Sequence, residues 1–303
     1  MMLDPRITPA RPDLAADYLR GQVEATRFVT GTVREIVDAQ APVRREPRPD
    51  ALLDTEALRG ELVTVYDEDS EGWCWGQLHR DRYVGWLPIN ALRTPGPPPT
   101  HRVAALRTLE FPGRSIKASP IASLSQGCLL SVAQQPSNAS PPSGKSGNSD
   151  EAGGDAGLAR LDSGSYVPAR HLATIDSCED DFVAVAELFV AVPYLWGGKT
   201  SLGIDCSGLV QVALAAAGVE CPRDSDMQER AFASCPAVDI AALARGDVIF
   251  WKGHVAIVRD ERTLLHANAF HMAVAIEPIA EATHRIHKSG GEIVAARRIF
   301  PRP

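Results

Sequence analysis

Cys206 is the residue whose type and surroundings point most directly to chemistry. It stands between Asp205 and Ser207 at the start of a nearly continuous apolar run that ends at Gly218. Such a run predicts a buried helix with a glycine C-cap, and Asp205 and Ser207 are both residue types that cap helix N-termini. A thiol there meets the positive end of the helix dipole, which favours the nucleophilic thiolate. The alternative is a buried cysteine without reactivity.

Two histidines downstream are candidates for the base that a thiol nucleophile needs. His254 begins one strand pattern, His266 lies in the next, 263–267, and a short turn separates them. In the predicted hairpin His254 opposes His266 or Leu265, depending on the turn, and directly opposed side chains lie roughly 5 Å apart at Cβ. One ring could then face Cys206 while the other orients it. The alternative is a pair of surface histidines.

The composition is that of a globular protein with more than one domain. The chain has 303 residues, 45% hydrophobic and 23% charged, with a net charge of −7. This length allows two or three domains, and the negative charge disfavours nucleic-acid and membrane-surface partners. No apolar run has the length of a membrane span, and the first residues do not resemble a secretory signal. We therefore expect a cytoplasmic protein.

The cysteines do not have the spacing of a metal site or a disulfide framework. Six are scattered along the chain without a CxxC pair: Cys74, Cys128, Cys178, Cys206, Cys221 and Cys235. This usage favours a reducing compartment. The chain also lacks an HExxH segment and a glycine-rich phosphate loop, so we predict no metal and no cofactor.

The N-terminal third predicts an arm followed by a small barrel. Residues 1–35 form the arm, with a helix over about Pro12–Arg20. Residues 36–97 contain several short strand patterns at close spacing, which is typical of a small β-barrel. These patterns include Glu61-Leu-Val-Thr-Val-Tyr66, Trp73-Cys-Trp-Gly-Gln-Leu78 and Arg82-Tyr-Val-Gly-Trp-Leu-Pro88.

A second barrel is predicted over residues 98–175. Its ending, SGSYVPARHL, repeats the register of RDRYVGWLPINAL in the first barrel. Residues 134–157 are rich in Ser, Pro, Gly and Asn, so we interpret them as a flexible insertion in a hairpin.

The last unit, residues 176–303, combines helices with strands. A capping box at Ser177-Cys-Glu-Asp180 predicts a helix to about Ala191, and the Cys206 helix follows. Strand patterns come next at about 248–251, 254–258 and 263–267. Helices followed by antiparallel strands define an α+β fold.

Five segments of the last unit stand out by their order and spacing: Pro193-Tyr-Leu-Trp-Gly-Gly198, Asp205-Cys-Ser-Gly-Leu-Val210, Gly246-Asp-Val-Ile-Phe250, Gly253-His-Val-Ala-Ile-Val258 and Leu265-His266. Together they resemble the NlpC family of papain-like cell-wall cysteine peptidases. The strand patterns of residues 36–97 resemble a bacterial SH3 domain. The resemblance implies a papain-like catalytic domain behind two SH3-like barrels, as in γ-D-glutamyl-diamino acid endopeptidases.

The resemblance also implies a role for each catalytic candidate. Cys206 would be the nucleophile, His254 the general base and then acid, and His266 the group that orients His254. The Cys206 backbone N–H and the Tyr194 hydroxyl would stabilise the oxyanion, although Tyr194 could instead be a wall of the cleft.

Further residues would bind the substrate, which the resemblance implies is a murein peptide. Asp224 is expected to pair with a substrate ammonium and Ser225 to bind the D-glutamate carboxylate. Asp205 and Ser207, beside the nucleophile, are additional candidates, while a solvated loop acid is the alternative for Asp224. From the first barrel we expect Tyr83 and one acid to read the free amine of L-alanine. Glu56 and Glu46 compete for the acid.

The expected activity is therefore hydrolysis of the γ-D-glutamyl–meso-diaminopimelate bond in L-Ala-γ-D-Glu-diaminopimelate. This would serve cell-wall peptide recycling in the cytoplasm. Three alternatives remain: a secreted hydrolase whose SH3 domains bind peptidoglycan, a binding module with a decayed site, and an amidase or acyltransferase on the same fold.

Overall fold

The computed structural model describes residues 3–133 and 157–299. The predicted insertion, 134–157, lies outside these ranges apart from its last residue. The architecture mixes sheets and helices, so the predicted α+β class is confirmed. Within the described residues, no helix has the length and apolarity needed to span a membrane.

The N-terminal arm contains strands instead of the predicted helix. Strands β1 (Leu14–Ala16) and β2 (Arg27–Val29) pair in parallel, and a short 3-10 turn covers Asp17–Leu19. All three residues of β1 are buried, and Leu14 packs against Trp75 of the first barrel. The helix prediction was wrong because a short apolar segment that is buried on both faces has the same residue pattern whether it forms a strand or a helix.

The first barrel is one seven-stranded sheet. Its strands are β3 (Thr32–Ile36), β4 (Gln40–Arg44), β5 (Leu53–Leu58), β6 (Leu62–Glu68), β7 (Trp73–Leu78), β8 (Val84–Pro88) and β9 (Leu92–Arg93). Their order in the sheet is β5-β4-β8-β7-β6-β3-β9. Because β3 pairs with β6 and β9, the barrel begins a few residues before the predicted boundary at residue 36.

The second β unit is built from shorter pieces. Its strands are β10 (His101–Val103), β11 (Arg107–Glu110), β12 (Ala122–Ser125), β13 (Leu129–Leu130), β14 (Leu158–Arg160), β15 (Tyr166–Pro168) and β16 (Leu172–Thr174). They form a three-stranded sheet, β13-β10-β16, and the two hairpins β11-β12 and β14-β15. The predicted repeat is visible in the backbone, because β8 and β15 both end at a proline followed by a 3-10 turn and a strand. Its assignment as a second SH3 domain stays a prediction.

The catalytic unit places helices on one five-stranded sheet. Its elements are α1 (Phe182–Glu187), β17 (Lys199–Thr200), β18 (Gly203–Ile204), α2 (Cys206–Ala216), α3 (Ser225–Ala231), β19 (Asp247–Trp251), β20 (His254–Val258), β21 (Thr263–Asn268), β22 (Ala273–Pro278), α4 (Ile279–Lys288) and β23 (Ile293–Arg298). The sheet order is β22-β21-β20-β19-β23.

The first helix of this unit is shorter than predicted. It is capped by Asp181, whose carboxylate accepts the Val183 N–H, and it ends at Glu187. The capping box expected at Ser177 is therefore wrong, as is the end at Ala191. Ala191 adopts a positive φ of 68°, which a helix interior excludes.

Candidate active site

The Cys206 helix begins where the sequence predicted. Asp205 is the N-cap of α2, and its carboxylate accepts the Gly208 N–H at 2.7 Å. Gly208 is required here because a Cβ at this position would lie 2.4 Å from the Gly198 carbonyl oxygen. The close approach packs the 197–198 loop on the helix terminus and fixes the position of Cys206, which is 8% exposed.

Helix α2 packs across the sheet on strands β20 and β21, which carry the two histidines. Cys206 and Val255 belong to the same buried cluster, and the Val255 N–H is directed at the thiol. His254 is the residue just before Val255 and the first of β20. The fold thus brings the candidate nucleophile and the candidate base together.

The two imidazoles are joined by a hydrogen bond. His254 Nε2 lies 2.9 Å from His266 Nδ1, with the ring centroids 5.1 Å apart. His266 is 1% exposed, so its ring cannot turn away into solvent. This arrangement leaves the other nitrogen of His254, Nδ1, available for the thiol.

The histidines are diagonal neighbours. Both predicted registers, which placed His266 or Leu265 opposite His254, are therefore wrong. Ile257 pairs with Leu265, which by continuation puts His266 opposite Ala256. The turn is longer than predicted because Asp260 Oδ1 accepts the N–H groups of both Arg262 and Thr263 and folds them into the loop.

The sequence analysis missed a carboxylate behind the second histidine. Glu277 Oε2 lies 2.8 Å from His266 Nε2, and Arg285 donates to both oxygens of Glu277 at 2.6 and 3.2 Å. Glu277 reaches His266 because β22 pairs with β21, and Glu277 points to the same face as Ala275, the partner of His266. That alternation was a usable signal in the sequence.

Glu277 determines which nitrogen of each ring carries a proton. Burial alone would raise the pKa of Glu277, but hydrogen bonds from Arg285 and His266 lower it, so the ionised carboxylate only accepts. His266 must therefore donate from Nε2, which leaves Nδ1 as an acceptor. His254 then donates from Nε2, and its Nδ1 keeps the lone pair that a base requires.

Burial acts against charge on the thiol and on both imidazoles. Burial, with a smaller effect of Asp205, raises the pKa of the Cys206 thiol to about 12, and the Val255 N–H acts to lower it. Burial lowers the pKa of His254 to about 3 and that of His266 to about 4, although Glu277 acts to raise the latter. Burial thus opposes the thiolate that the helix terminus favours, and the expected thiolate stays a prediction.

Two donors are available for an oxyanion. Among the described groups, the Cys206 N–H at the start of α2 makes no hydrogen bond. Tyr194 is half-buried and packs on the cluster that contains Cys206, and burial raises the pKa of its phenol. A Tyr194 hydroxyl that stays protonated is a hydrogen-bond donor at neutral pH.

Asp205 and Ser207 are held by the fully buried guanidinium of Arg223. Arg223 binds both oxygens of Asp205 at 2.9 and 2.7 Å and donates to Ser207 Oγ at 3.0 Å. Its Nε reaches Thr55 of the first barrel at 2.8 Å. The geometry gives Asp205 a positioning role, and substrate binding by Asp205 and Ser207 stays a prediction.

The remaining candidates meet where the first barrel touches the catalytic unit. Tyr83 donates to Asp224 Oδ2 at 3.2 Å, and Arg6 of the arm donates to the same oxygen at 2.8 Å. Asp224 precedes α3, and Ser225 is the first, half-buried residue of that helix. The involvement of Arg6 was not predicted, because no local pattern in the sequence indicates that the arm contacts the catalytic unit.

Glu56 and Glu46, the two candidate acids of the first barrel for binding the substrate amine, have different surroundings. Glu56 is 4% exposed, and its Oε2 accepts the Lys199 N–H at 2.9 Å, so it faces the catalytic unit. Burial raises the pKa of Glu56. Glu46 is exposed and pairs with Arg48 within its own loop. Of the two, the structure places only Glu56 at the interface.

Comparison with known families and proteins agrees with this architecture. Residues 191–289 match the NlpC/P60 family, and residues 43–92 match the bacterial dipeptidyl-peptidase SH3 domain. A γ-D-glutamyl-L-lysine dipeptidyl-peptidase of Bacillus cereus is 27% identical over 75% of this chain and 71% of its own length. The Bacillus subtilis protein of the same name is 30% identical over 40% of this chain and 41% of its own length.

A solved structure shares the fold across most of the chain. The crystal structure of an NlpC/P60 family protein from Bacillus cereus has a TM-score of 0.69 and covers 89% of this chain and 100% of its own, with 22% identity. Both family matches fall on the units described above, with the cysteine and both histidines inside the second. The chain therefore contains a domain that matches the NlpC/P60 family, a family of cysteine-type peptidases, and a bacterial SH3 domain precedes it.

Proposed function

We propose that the protein hydrolyses the γ-D-glutamyl–diamino acid bond of murein peptides that have a free N-terminal L-alanine, with meso-diaminopimelate as the diamino acid. The observation that carries this proposal is the position of Asp224. It lies on the catalytic unit yet is held by Tyr83 of the first barrel and Arg6 of the arm.

The reaction follows from the proton positions in the relay. As Cys206 Sγ attacks the γ-carbonyl carbon of D-glutamate, its proton passes to His254 Nδ1. The imidazolium that forms is stabilised through His266 by the Glu277 carboxylate. The Cys206 N–H and the Tyr194 hydroxyl stabilise the oxyanion.

Collapse of the tetrahedral intermediate breaks the C–N bond, and His254 returns the proton to the leaving amine of the diamino acid. A thioester to Cys206 remains. Water, deprotonated by His254, attacks that thioester and releases the L-Ala-D-Glu dipeptide and the free thiol.

Recognition of the free amine is assigned to the carboxylates of the interface. Both bonds to Asp224 from Tyr83 and Arg6 use Oδ2, and among the described residues no group is hydrogen-bonded to Oδ1. That oxygen can accept a substrate ammonium. Glu56, which is buried in β5 of the first barrel, is proposed as the second acid. An ammonium that meets carboxylates in a closed end is stabilised, whereas a blocked amine loses this interaction and clashes.

The substrate would then be a free peptide and not an intact wall, which is consistent with a cytoplasmic recycling role. All six cysteines are free, and Cys178 is exposed, as suits a reducing compartment. Fractionation of cells that produce the tagged protein would test this location, and recovery outside the cytoplasm would favour the secreted wall hydrolase.

The deciding experiment compares four tripeptides under identical conditions. They are L-Ala-γ-D-Glu-meso-diaminopimelate, its N-acetyl form, the L-lysine analogue and the α-linked isomer. We expect the first to be cleaved, the acetylated peptide to lose about two orders of magnitude in kcat/KM, and the α-linked isomer to resist. Equal cleavage of the free and acetylated peptides would refute recognition of the amine. Preference for the lysine analogue would replace meso-diaminopimelate with L-lysine as the diamino acid of the proposed substrate.

A further inference from the structure

Three potential metal ligands converge on the outer end of the histidine relay. His266 Nε2, His271 Nδ1 and a Glu277 oxygen all lie within 4.8 Å of one another. The separations from Glu277 Oε2 are 2.8 Å to His266 Nε2 and 4.0 Å to His271 Nδ1. A tetrahedral zinc ion with bonds of about 2.0–2.1 Å holds its ligand atoms about 3.4 Å apart. The observed distances bracket that value.

The cluster is open on one side only. His266 is buried, whereas the His271 side chain is 34% exposed and lies in the turn between β21 and β22. Two imidazoles and one carboxylate are a donor set that binds Zn²⁺ and related divalent ions, with the remaining position left for water.

Three existing contacts must change when an ion enters. His266 Nε2 is hydrogen-bonded to Glu277 Oε2 at 2.8 Å, His271 Nδ1 lies 3.0 Å from Asn268 Oδ1, and Arg285 is paired with Glu277. Arg285 also stacks on the exposed Phe270 ring at 4.4 Å, so it has a second partner when it leaves the carboxylate. The entering dication replaces a single positive charge on Glu277.

We infer that His266, His271 and Glu277 form an inhibitory binding site for a divalent transition-metal ion such as Zn²⁺. The inference concerns regulation of the active site and rests on the relay serving the proposed peptidase reaction. It adds no metal to the chemistry itself.

Inhibition follows from the protons of the relay. A metal ion on His266 Nε2 takes the lone pair of that nitrogen, so the ring must carry its single proton on Nδ1. His266 then donates to His254 Nε2, which has to become an acceptor. The proton of His254 moves to Nδ1, the nitrogen that acts as the base in the proposed reaction. Each ring keeps one proton, yet the base has lost its lone pair without any contact between the metal and the thiol.

The experiment measures binding directly, without substrate. Full-length Cys206→Ala protein, stripped with EDTA, is titrated with Zn²⁺ by calorimetry, so that the thiol cannot contribute a ligand. We expect one Zn²⁺ per chain. His271→Ala in the same background should weaken binding by tenfold or more, on the order of the effect of losing a metal-site partner. His284→Ala, which removes an exposed histidine of α4, is the matched control and should bind like the parent.

Inhibition is measured separately with Cys206 intact. Each variant is compared with its own rate in EDTA, and we expect Zn²⁺ to lower kcat reversibly and to require higher concentrations in His271→Ala by the same factor as the loss of binding. Absence of binding to Cys206→Ala protein, or unchanged binding in His271→Ala, would overturn the site. Binding with no dependence of inhibition on His271 would overturn the regulatory role. Because the titration needs no substrate, a wrong substrate assignment leaves the binding result intact.

Discussion

The histidine relay and the contacts around Asp224, which we propose as the recognition end, are built in different ways. The relay residues lie 12 and 11 positions apart, on three consecutive strands of one sheet. The recognition end joins residues that are 141, 168 and 218 positions apart, from the arm, the first barrel and the catalytic unit. The relay is formed by a single hairpin and the strand beside it, whereas the recognition end depends on how three units pack together.

Under the proposed function, this difference makes chemistry and specificity separable. Changes in the relay should lower kcat and leave KM nearly unchanged. The relay transfers the thiol proton during the reaction, and its residues do not bind the substrate. Changes at the recognition end should raise KM and reduce discrimination between free and blocked amines. Arg223 belongs to both regions, because it binds Asp205 beside the nucleophile and Thr55 in the first barrel.

The largest effect is therefore expected from Arg223→Met. Removal of the guanidinium leaves the Asp205 carboxylate buried without its cation, which typically costs about 3–5 kcal/mol in the free energy of unfolding. Denaturant unfolding monitored by tryptophan fluorescence measures it. Arg230→Met, on the exposed side of α3, is the control and should change stability by about 0.5 kcal/mol or less. Equal free energies of unfolding for the two variants would show that Arg223 does not stabilise the contact between the two regions.

The relay is tested next with Glu277→Gln. The amide oxygen can still accept from His266, but the negative charge that stabilises the imidazolium is lost. We expect kcat to fall by about 10–100-fold with KM nearly unchanged. Glu281→Gln, one turn into α4, should behave like the parent protein. An unchanged kcat in Glu277→Gln would show that the charge of Glu277 does not contribute and that the relay consists of the two histidines alone.

Asp224→Asn addresses the recognition end. Loss of the carboxylate charge should raise KM for the free tripeptide by about tenfold, leave kcat close to the parent value, and narrow the difference from the N-acetyl peptide. Steady-state kinetics on both peptides measure it. The neighbouring Asp226→Asn also removes a partner of Arg6 and serves as the control. A fall in kcat alone would mean that Asp224 acts on the chemistry and not on the amine.

The smallest effect is expected from Tyr83→Phe, which deletes one hydrogen bond to Asp224 and keeps the ring. A neutral donor of this kind contributes about 0.5–1.5 kcal/mol, which corresponds to a rise in KM of about two- to tenfold. Tyr18→Phe, in the exposed part of the arm, controls for removal of a hydroxyl. A variant indistinguishable from the parent would show that Arg6 alone positions Asp224.

Local patterns of the sequence predicted the relay well. The N-cap of the Cys206 helix and the hairpin with both histidines are encoded within short segments, so their positions follow from alternation and capping. Glu277 was missed although the alternation of β22 puts it on the face of Ala275, because the pairing of β22 with β21 had not been assigned. The exact hairpin register depended on the side chain of Asp260, which spacing alone does not reveal.

The recognition end could not be predicted in the same way. Tyr83, Glu56 and Asp224 were candidates through resemblance, but no local pattern indicates that Arg6 or Thr55 contacts the catalytic unit. Those contacts arise from packing between units, and the arm was interpreted as a helix because a fully buried strand has no alternation to display. Likewise, the helix terminus suggested a lowered thiol pKa, while the burial that raises it is a tertiary property.

The central claim is that Cys206 is the nucleophile of a peptide-bond hydrolysis served by the His254–His266–Glu277 relay. The most direct test is the turnover of L-Ala-γ-D-Glu-meso-diaminopimelate by Cys206→Ser protein whose folding is verified by its unfolding transition. We predict a loss in kcat of about four orders of magnitude or more. Turnover within tenfold of the parent protein would contradict the account.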